Sequence, residues 1–514
     1  PSVTDGTTDR IADRGLRNEP IYVTDLSRAA PGHAISETPE FRCWRSMSYV
    51  ADERSGVMLL AGPETAAPDV SIALDVSGWH AIVLGVVAPP SYESSPIKVL
   101  VRLSDEVTPV MLSLPPTDSN QGHALRITEL YWKTADVTNR QIVIGQPQWQ
   151  VAPEDDVGAW RSEVVRIAYI KLVPLSAAEI ASDRDDRQRS DTQRLFAHQD
   201  AHGPYFLWRL TDAVGIRREL EPYRHTDFSR MYWEAGEGDT AYYFSQIART
   251  PTFDDAEDFA RVGDRLHAES WRAYRKAGVD PFDVAIEHCH DVGMEFHAAY
   301  RVAGFHYPPP IDHYNLGPTF AAKHPEWRGV DRNGRMTPRI AYSYPGVRAY
   351  VVSLLREMAE RPIDGVCLLY CRRPPLVEYE PPVVDAFERE YGLRPQALPH
   401  DDARWLRFRA RELTGFMREV RQAMNAVGAA RGRPVAVSAV VLSSERENLV
   451  NAMDLAAWVS EGLVDTLIPY TSAPNIDSES VSWEDPRTLE YFVELARGSS
   501  CIVAPGMMPR HRPP

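Results

Sequence analysis

From about residue 201 the chain repeats one pattern, a short apolar run followed by a longer amphipathic one. Seven runs read as strands: 205–209 (YFLWR), 227–233 (DFSRMYW), 293–299 (GMEFHAA), 363–370 (IDGVCLLY), 434–441 (PVAVSAVV), 464–470 (VDTLIPY) and 501–505 (CIVAP). The segments between them carry apolar residues at helical spacing. Segment 348–361 places Val351, Val352, Leu355 and Met358 on one face, and 402–427 does the same with Leu406, Leu413, Phe416, Met417 and Val420. Gly462 stands where a C-cap would end a further helix. Apolar strands that alternate with helices form a parallel sheet covered by helices. The expected class is therefore α/β, and over roughly 310 residues the leading architecture is a (β/α)8 TIM barrel. A doubly wound open sheet is the alternative. It favours a Gly-rich phosphate turn after an early strand. The nearest stretch, EAGEGD at 234–239, is acidic and would repel a phosphate. Seven strands fall one short of closure, so the expectation is a barrel truncated before strand eight, or a further strand near 240–245.

Upstream the texture is different. Within 36–176, the runs 71–87, 97–104, 110–114, 126–137, 141–146 and 164–175 are short, β-branched and separated by turn residues. That is the pattern of a β-sandwich, here an accessory domain that is either carbohydrate-binding or structural. Residues 1–35 form a polar lead-in. Residues 177–200 are charged and helix-permissive, and read as a linker or as the first helix of the barrel domain at 201–514.

A chain of 514 residues is too long for one hydrophobic core. Its net charge of −16 argues against a nucleic-acid partner. No run of about 18 apolar residues is present, so no membrane span is expected. The five cysteines are scattered and imply no disulfide framework. Cys367 and Cys371 share a strand face and read as buried free thiols. No zinc-type His pair, Gly-x-Ser-x-Gly elbow or Walker loop occurs, so no metal or other cofactor is expected.

Barrel chemistry sits at the C-terminal ends of strands and in the loops that follow. The second strand ends in Trp233 and Glu234, with Glu237 and Asp239 beyond. An indole can stack on a sugar's C–H face while a carboxylate works on the glycosidic oxygen; a solvated acidic turn is the plain alternative. The third strand offers His297 and Arg301, which could hold hydroxyls or a carboxylate, although a single histidine is more often structural. Tyr370, Arg372 and Arg373 end the fourth strand, and Glu378 and Glu380 follow, two residues apart and so pointing the same way in an extended loop. Tyr470 ends the sixth. The loop 300–345 is long enough for a lid or cleft wall. This inventory fits acid/base work on carbohydrate. Glu234, Glu378 and Glu380 are the candidate catalytic residues; Trp233, Asp239, His297, Arg301, Tyr370, Arg372, Arg373 and Tyr470 are the candidate substrate-binding ones.

Two stretches carry a family likeness. HPEWRGVDRNGR at 324–335, followed by YSYPGVRAYVVSLLREMAERPIDGVCLLY at 342–370, resembles the glycosyl-hydrolase-like family 10 group of bacterial barrel proteins. AMDLAAWVSEGLVDTLIPY at 452–470 is similar to another of its segments. The likeness covers 293–505 well, 201–292 weakly, and the N-terminal module not at all. It implies a TIM-barrel glycan hydrolase, commonly extracytoplasmic, that acts on a polysaccharide or peptidoglycan. By position, Asp364 and Gly365 match the motif's strand entry, and Tyr370, Arg372 and Pro374 its strand exit. Leu369 stands where the motif has an acid. Carboxylate chemistry would then pass to Glu234 and Glu378, or the barrel binds glycan without cleaving it; a polysaccharide lyase using Tyr, His and Arg is a weaker alternative.

Overall fold

The computed structural model describes residues 19–51, 54–63, 65–87, 97–114, 126–150, 160–162, 164–189, 191–200, 204–205, 210–254, 259, 262–305, 320–371, 374–470 and 486–506. They divide into two units, one of residues 1–193 with 214–227, the other of 194–213 with 228–514.

In the first unit, alternation builds two sheets. Ile97, Val99, Val101 and Leu103 are buried while the residues between them are half-buried, the period of a strand with one face inward. A larger sheet runs Ile35–Ser36, Trp44–Ala51, Arg54–Ala61, Val165–Pro174, Trp79–Val87, Ile127–Asp136, with Ile21–Val23 also paired to Val165–Pro174. A smaller sheet runs Val70–Ala73, Gln141–Gly145, Ile97–Leu103, Val110–Leu114. Trp44, Leu59, Leu84 and Ile170 of the first share one apolar cluster with Ile72, Val99 and Ile142 of the second. Residues 177–200 hold a helix, Ala177–Gln188, whose Ser176 and Glu179 cap it reciprocally.

The second unit is built on one parallel sheet in chain order: β1 (Leu195–Gln199), β2 (Phe228–Glu237), β3 (Glu295–Arg301), β4 (Gly365–Leu369), β5 (Ala436–Val441), β6 (Thr466–Pro469) and β7 (Ile502–Val503). The first strand thus lies at 195–199, earlier than the run at 205–209, of which residues 206–209 fall outside the described residues. Its apolar signal is weak because Ala197 alone is buried in it. The segment near 240–245 supplies only a two-residue pairing, Thr240–Ala241, antiparallel to the end of β2.

The sheet curls. Strands lie about 4.8 Å apart along a sheet, so β2 and β5, three places apart, would be well separated if it were flat. Instead the Tyr232 hydroxyl lies 3.2 Å from Ser438 Oγ, and Arg230 Nη1 donates to Thr466 Oγ1 on β6 at 3.2 Å. Polar side chains therefore meet inside the curve, and the sheet is a parallel half-barrel. Outside it, the helices Pro345–Ala359 and Ala403–Arg431 bury Val351, Leu355, Met358, Leu406, Leu413, Phe416, Met417 and Val420 as their spacing predicts; Val352 is half-buried, and Leu354 is buried beside them. No helix among the described residues is long and apolar enough to cross a membrane.

The strand entries are stapled. Asp364, just before β4, accepts the Phe296 N–H of β3 at 2.8 Å; Asp465, just before β6, accepts the Val437 N–H of β5 at 2.7 Å. Asp364 also pairs with His290 Nε2 at 2.8 Å and with Arg433, and Asp465 with Arg421 Nη2 at 2.8 Å. The glycine that follows Asp364 has its own reason. A Cβ at Gly365 would lie 2.5 Å from the His297 ring and 2.8 Å from the Ala436 carbonyl oxygen. Gly365→Ala is expected to cost about 1–3 kcal/mol through overpacking, read as a lower denaturant midpoint at unchanged m-value.

Candidate functional site

Strand β2 carries its acid to the mouth. The pairing of β2 with β3 shifts register between Glu234 and Gly236, the local kink by which bulges re-aim side chains. Glu234 is 1% exposed, and its Oε2 lies 2.8 Å from Arg301 Nη2 at the end of β3. The same guanidinium lies 3.4 Å from Glu237 Oε2 and 3.9 Å from Asp200 Oδ2, just past β1. Burial opposes the Arg301 charge, but Glu234 and Glu237 outweigh it and hold the guanidinium pKa above its ordinary value. Three consecutive strand ends thus converge on one cation. Tyr242 donates to Glu237 Oε1 at 3.1 Å. Burial, then Glu237 and Glu234, keep its hydroxyl protonated. Asp239 is buried and accepts the Ala321 N–H at 3.4 Å, tying the loop after β2 to residue 321.

A second acidic group lies beyond β4. Glu380 is fully buried before the helix Pro381–Tyr391, and its two oxygens accept the Glu378 N–H at 3.1 and 2.9 Å, the Val330 N–H at 3.3 Å and the Ser343 hydroxyl at 3.3 Å. Burial pushes its carboxyl up to about 7 against those bonds. Glu380 is thus turned back on its own loop as a clamp rather than presented beside Glu378. The Glu378 carboxylate is half-buried and takes no hydrogen bond or ion pair among the described residues. Burial raises its pKa, opposed by Arg339 and Arg409. A Cβ at Gly329 would lie 3.3 Å from Glu380 Oε1 and 3.6 Å from Glu378 Oε2, so both carboxylates border one small spot.

Three residues read as ligand contacts face elsewhere. Neighbours on a strand point to opposite faces, so the alternation that turns Glu234 inward turns Trp233 outward. Trp233 is 1% exposed, with its ring 6.4 Å from Phe296 in the layer beneath the helices. Tyr370 is buried too, donating to Met417 Sδ at 3.1 Å with its ring 5.2 Å from Trp458. His297 does face inward, but from the lower half of β3, edge-on to Tyr232 and 3.5 Å from Glu295 Oε2. Burial pushes its pKa down to about 4, so it is a neutral core imidazole. Tyr470 is half-buried at the end of β6, where its backbone bridges to Gly506. Arg372 and Arg373 lie outside the described residues. Asp200 and Tyr242 join the site without having been singled out by the sequence. Asp200 becomes legible once β1 is placed at 195–199. Tyr242 is returned to the site by the turn at Gly238, after which its N–H bonds the Ala235 carbonyl at 2.8 Å.

Residues 259–485 match the family model described as glycosyl hydrolase-like 10. Solved structures similar to this chain include α-L-fucosidase isoenzyme 2 from Paenibacillus thiaminolyticus, at 14% identity over 61% of this chain and 46% of that one, TM-score 0.32. Another is a cycloisomaltooligosaccharide glucanotransferase from Paenibacillus sp., at 12% identity over 95% and 54%, TM-score 0.37. A third is the glycoside hydrolase domain of PelA from Pseudomonas aeruginosa, at 10% identity over 60% and 82%, TM-score 0.29. The chain spans about half the length of the first two, and likenesses this distant carry no argument about mechanism. No curated protein matches. The weight rests on the family match, which takes in Arg301, Glu378 and Glu380 and leaves Glu234 just upstream. The segment that runs from β3 through β6 therefore matches the glycosyl hydrolase-like 10 family model.

Proposed function

We propose that the second unit is a glycoside hydrolase that cleaves a polysaccharide or other glycan by carboxylate acid/base chemistry, on a (β/α)8-type barrel accompanied by a β-sandwich accessory domain. The observation that carries this reading is the convergence of Asp200, Glu234 and Glu237 on Arg301 at three adjacent strand ends. A carboxylate beside a guanidinium is favoured in its charged form, which suits Glu234 to act as nucleophile or base. Glu378, partly buried, with no hydrogen bond or ion pair among the described residues and with a raised pKa, suits the acid that protonates the departing glycosidic oxygen. In the covalent route Glu234 attacks the anomeric carbon as that bond breaks; in the direct route it takes a proton from the attacking water. Glu380 holds Glu378 in place. Arg301 orients Glu234, and Asp239 and Tyr470 border the glycan.

The test is release of new reducing ends from soluble polysaccharides by the full chain. Glu378→Gln is expected to lower that rate by about 10²–10⁴-fold, and to remove an alkaline limb that lies above the ordinary carboxylate range. Leu369 favours a second reading. It is a buried alkyl side chain where the motif has an acid, which suits a barrel that binds glycan without cleaving it. Saturable glycan binding with no product would support that reading and sink the first.

A further inference from the structure

We propose that the half-buried rings of Phe320, His324, Trp327 and Tyr350 form a platform for sugar rings, placed between the Arg301 cluster and the Glu378 loop. The proposal rests on the glycan reading above and names where the chain of sugars lies. The four rings are two near-parallel stacks, Phe320 on Tyr350 and His324 on Trp327, each with centroids 3.8 Å apart and planes 11° apart; the Phe320 and His324 rings are 4.8 Å apart. Many large aromatics of this unit, such as Trp233, Trp271 and Trp405, are fully buried, whereas all four of these keep part of their surface in solvent.

Their position is fixed from both sides. At one end the Ala321 N–H bonds Asp239, two residues past Glu237; at the other the Val330 N–H bonds Glu380, the clamp under Glu378. The segment that bears the rings therefore runs from one acidic group to the other. Trp327 is lodged against the start of the helix Pro345–Ala359, where a Cβ at Gly346 would lie 2.4 Å from its ring. A ring held this way loses little freedom on binding. The ring faces that the two stacks leave outward suit the C–H face of a pyranose.

The experiment is isothermal titration of the full chain with cellohexaose, chitohexaose and mannohexaose. At least one should bind. Trp327→Ala should weaken it by about tenfold or more, and Trp327→Phe by no more than about threefold. His324→Ala, at a part-exposed ring, gives an independent reading if Trp327→Ala does not fold, with weakening of at least about threefold expected. Binding by none of the three sugars, or unchanged affinity in Trp327→Ala and His324→Ala, overturns the platform. Hydrolysis is scored separately. Binding that depends on Trp327 without cleavage keeps the platform and removes the hydrolase, while cleavage with an unaltered Trp327→Ala affinity does the reverse.

Discussion

Changing Glu234 to glutamine will lower glycan cleavage by about 10²–10⁴-fold, the usual contribution of a positioned proton-transfer group, and by more if the residue is the nucleophile. The amide keeps the size of the carboxylate and an oxygen for Arg301 Nη2, now 2.8 Å away. What it removes is the negative charge. Arg301 retains Glu237 and Asp200 within 3.9 Å, so the cation is not left bare, and the fold should survive where an alanine could cost about 3–5 kcal/mol. Initial rates and thermal midpoints measured on the same preparation separate the two effects. Cleavage at the wild-type rate by a folded Glu234→Gln would remove Glu234 from the chemistry and leave Glu237 and Asp200 as the acids at this hub. The interval between the acting carboxyl groups also sets the stereochemistry, about 5–5.5 Å for retention and about 6.5–9.5 Å for inversion.

A second large effect lies in acid stability and comes from His297. Its folded pKa is about 4 against 6.5 for the free side chain, chiefly because burial penalises the imidazolium; Arg230 adds to the shift, and Glu295 opposes it. Between those two values the unfolded chain takes up the proton before the folded one does. Stability from this group is therefore complete above about pH 6.5, falls as the pH drops toward 4, and levels off below, a loss on the order of 3 kcal/mol. Glu380 works in the opposite sense. Its pKa is raised to about 7 by burial, so its contribution is present below the usual glutamate range and lost as the pH rises through 7. The two overlap and partly cancel in the wild type, so the measurement is a difference: denaturant unfolding of the wild type and His297→Gln from pH 4 to 8. The gap between the two curves should shrink by roughly that amount toward pH 4. A constant gap would show that His297 does not titrate differently on folding.

Strands β2 to β6 were legible because each carries a buried apolar run between polar turns, β7 because it is apolar in sequence although Ile502 is exposed, and the helices because their apolar residues recur on one face. Strand β1 was not, since it buries Ala197 alone and follows a charged stretch. Legibility at the site has the same cause. Glu234 and Arg301 are polar residues at the ends of apolar strands, and strand order alone puts them side by side. Asp200 stays hidden as long as β1 does. Trp233 and Tyr370 show where reading by composition fails. Both stand at strand ends, but the period of two assigns each of them to the helix side, as the residues next to them in sequence could have indicated. For Glu378 and Glu380, spacing implies two acids pointing alike. The fold instead spends one on backbone N–H groups, a choice set by residues about 50 positions upstream, such as Val330.

Asp364 and Asp465 hold their neighbouring strands by main-chain N–H groups, at the end of the sheet remote from the acids at its mouth. Register is thereby decided without reference to any side chain in the loops above. That separation makes the mouth exchangeable. Loops transplanted between β3 and β4, or between β5 and β6, would meet strands already aligned, so the glycan preference proposed above could be altered without renegotiating the scaffold.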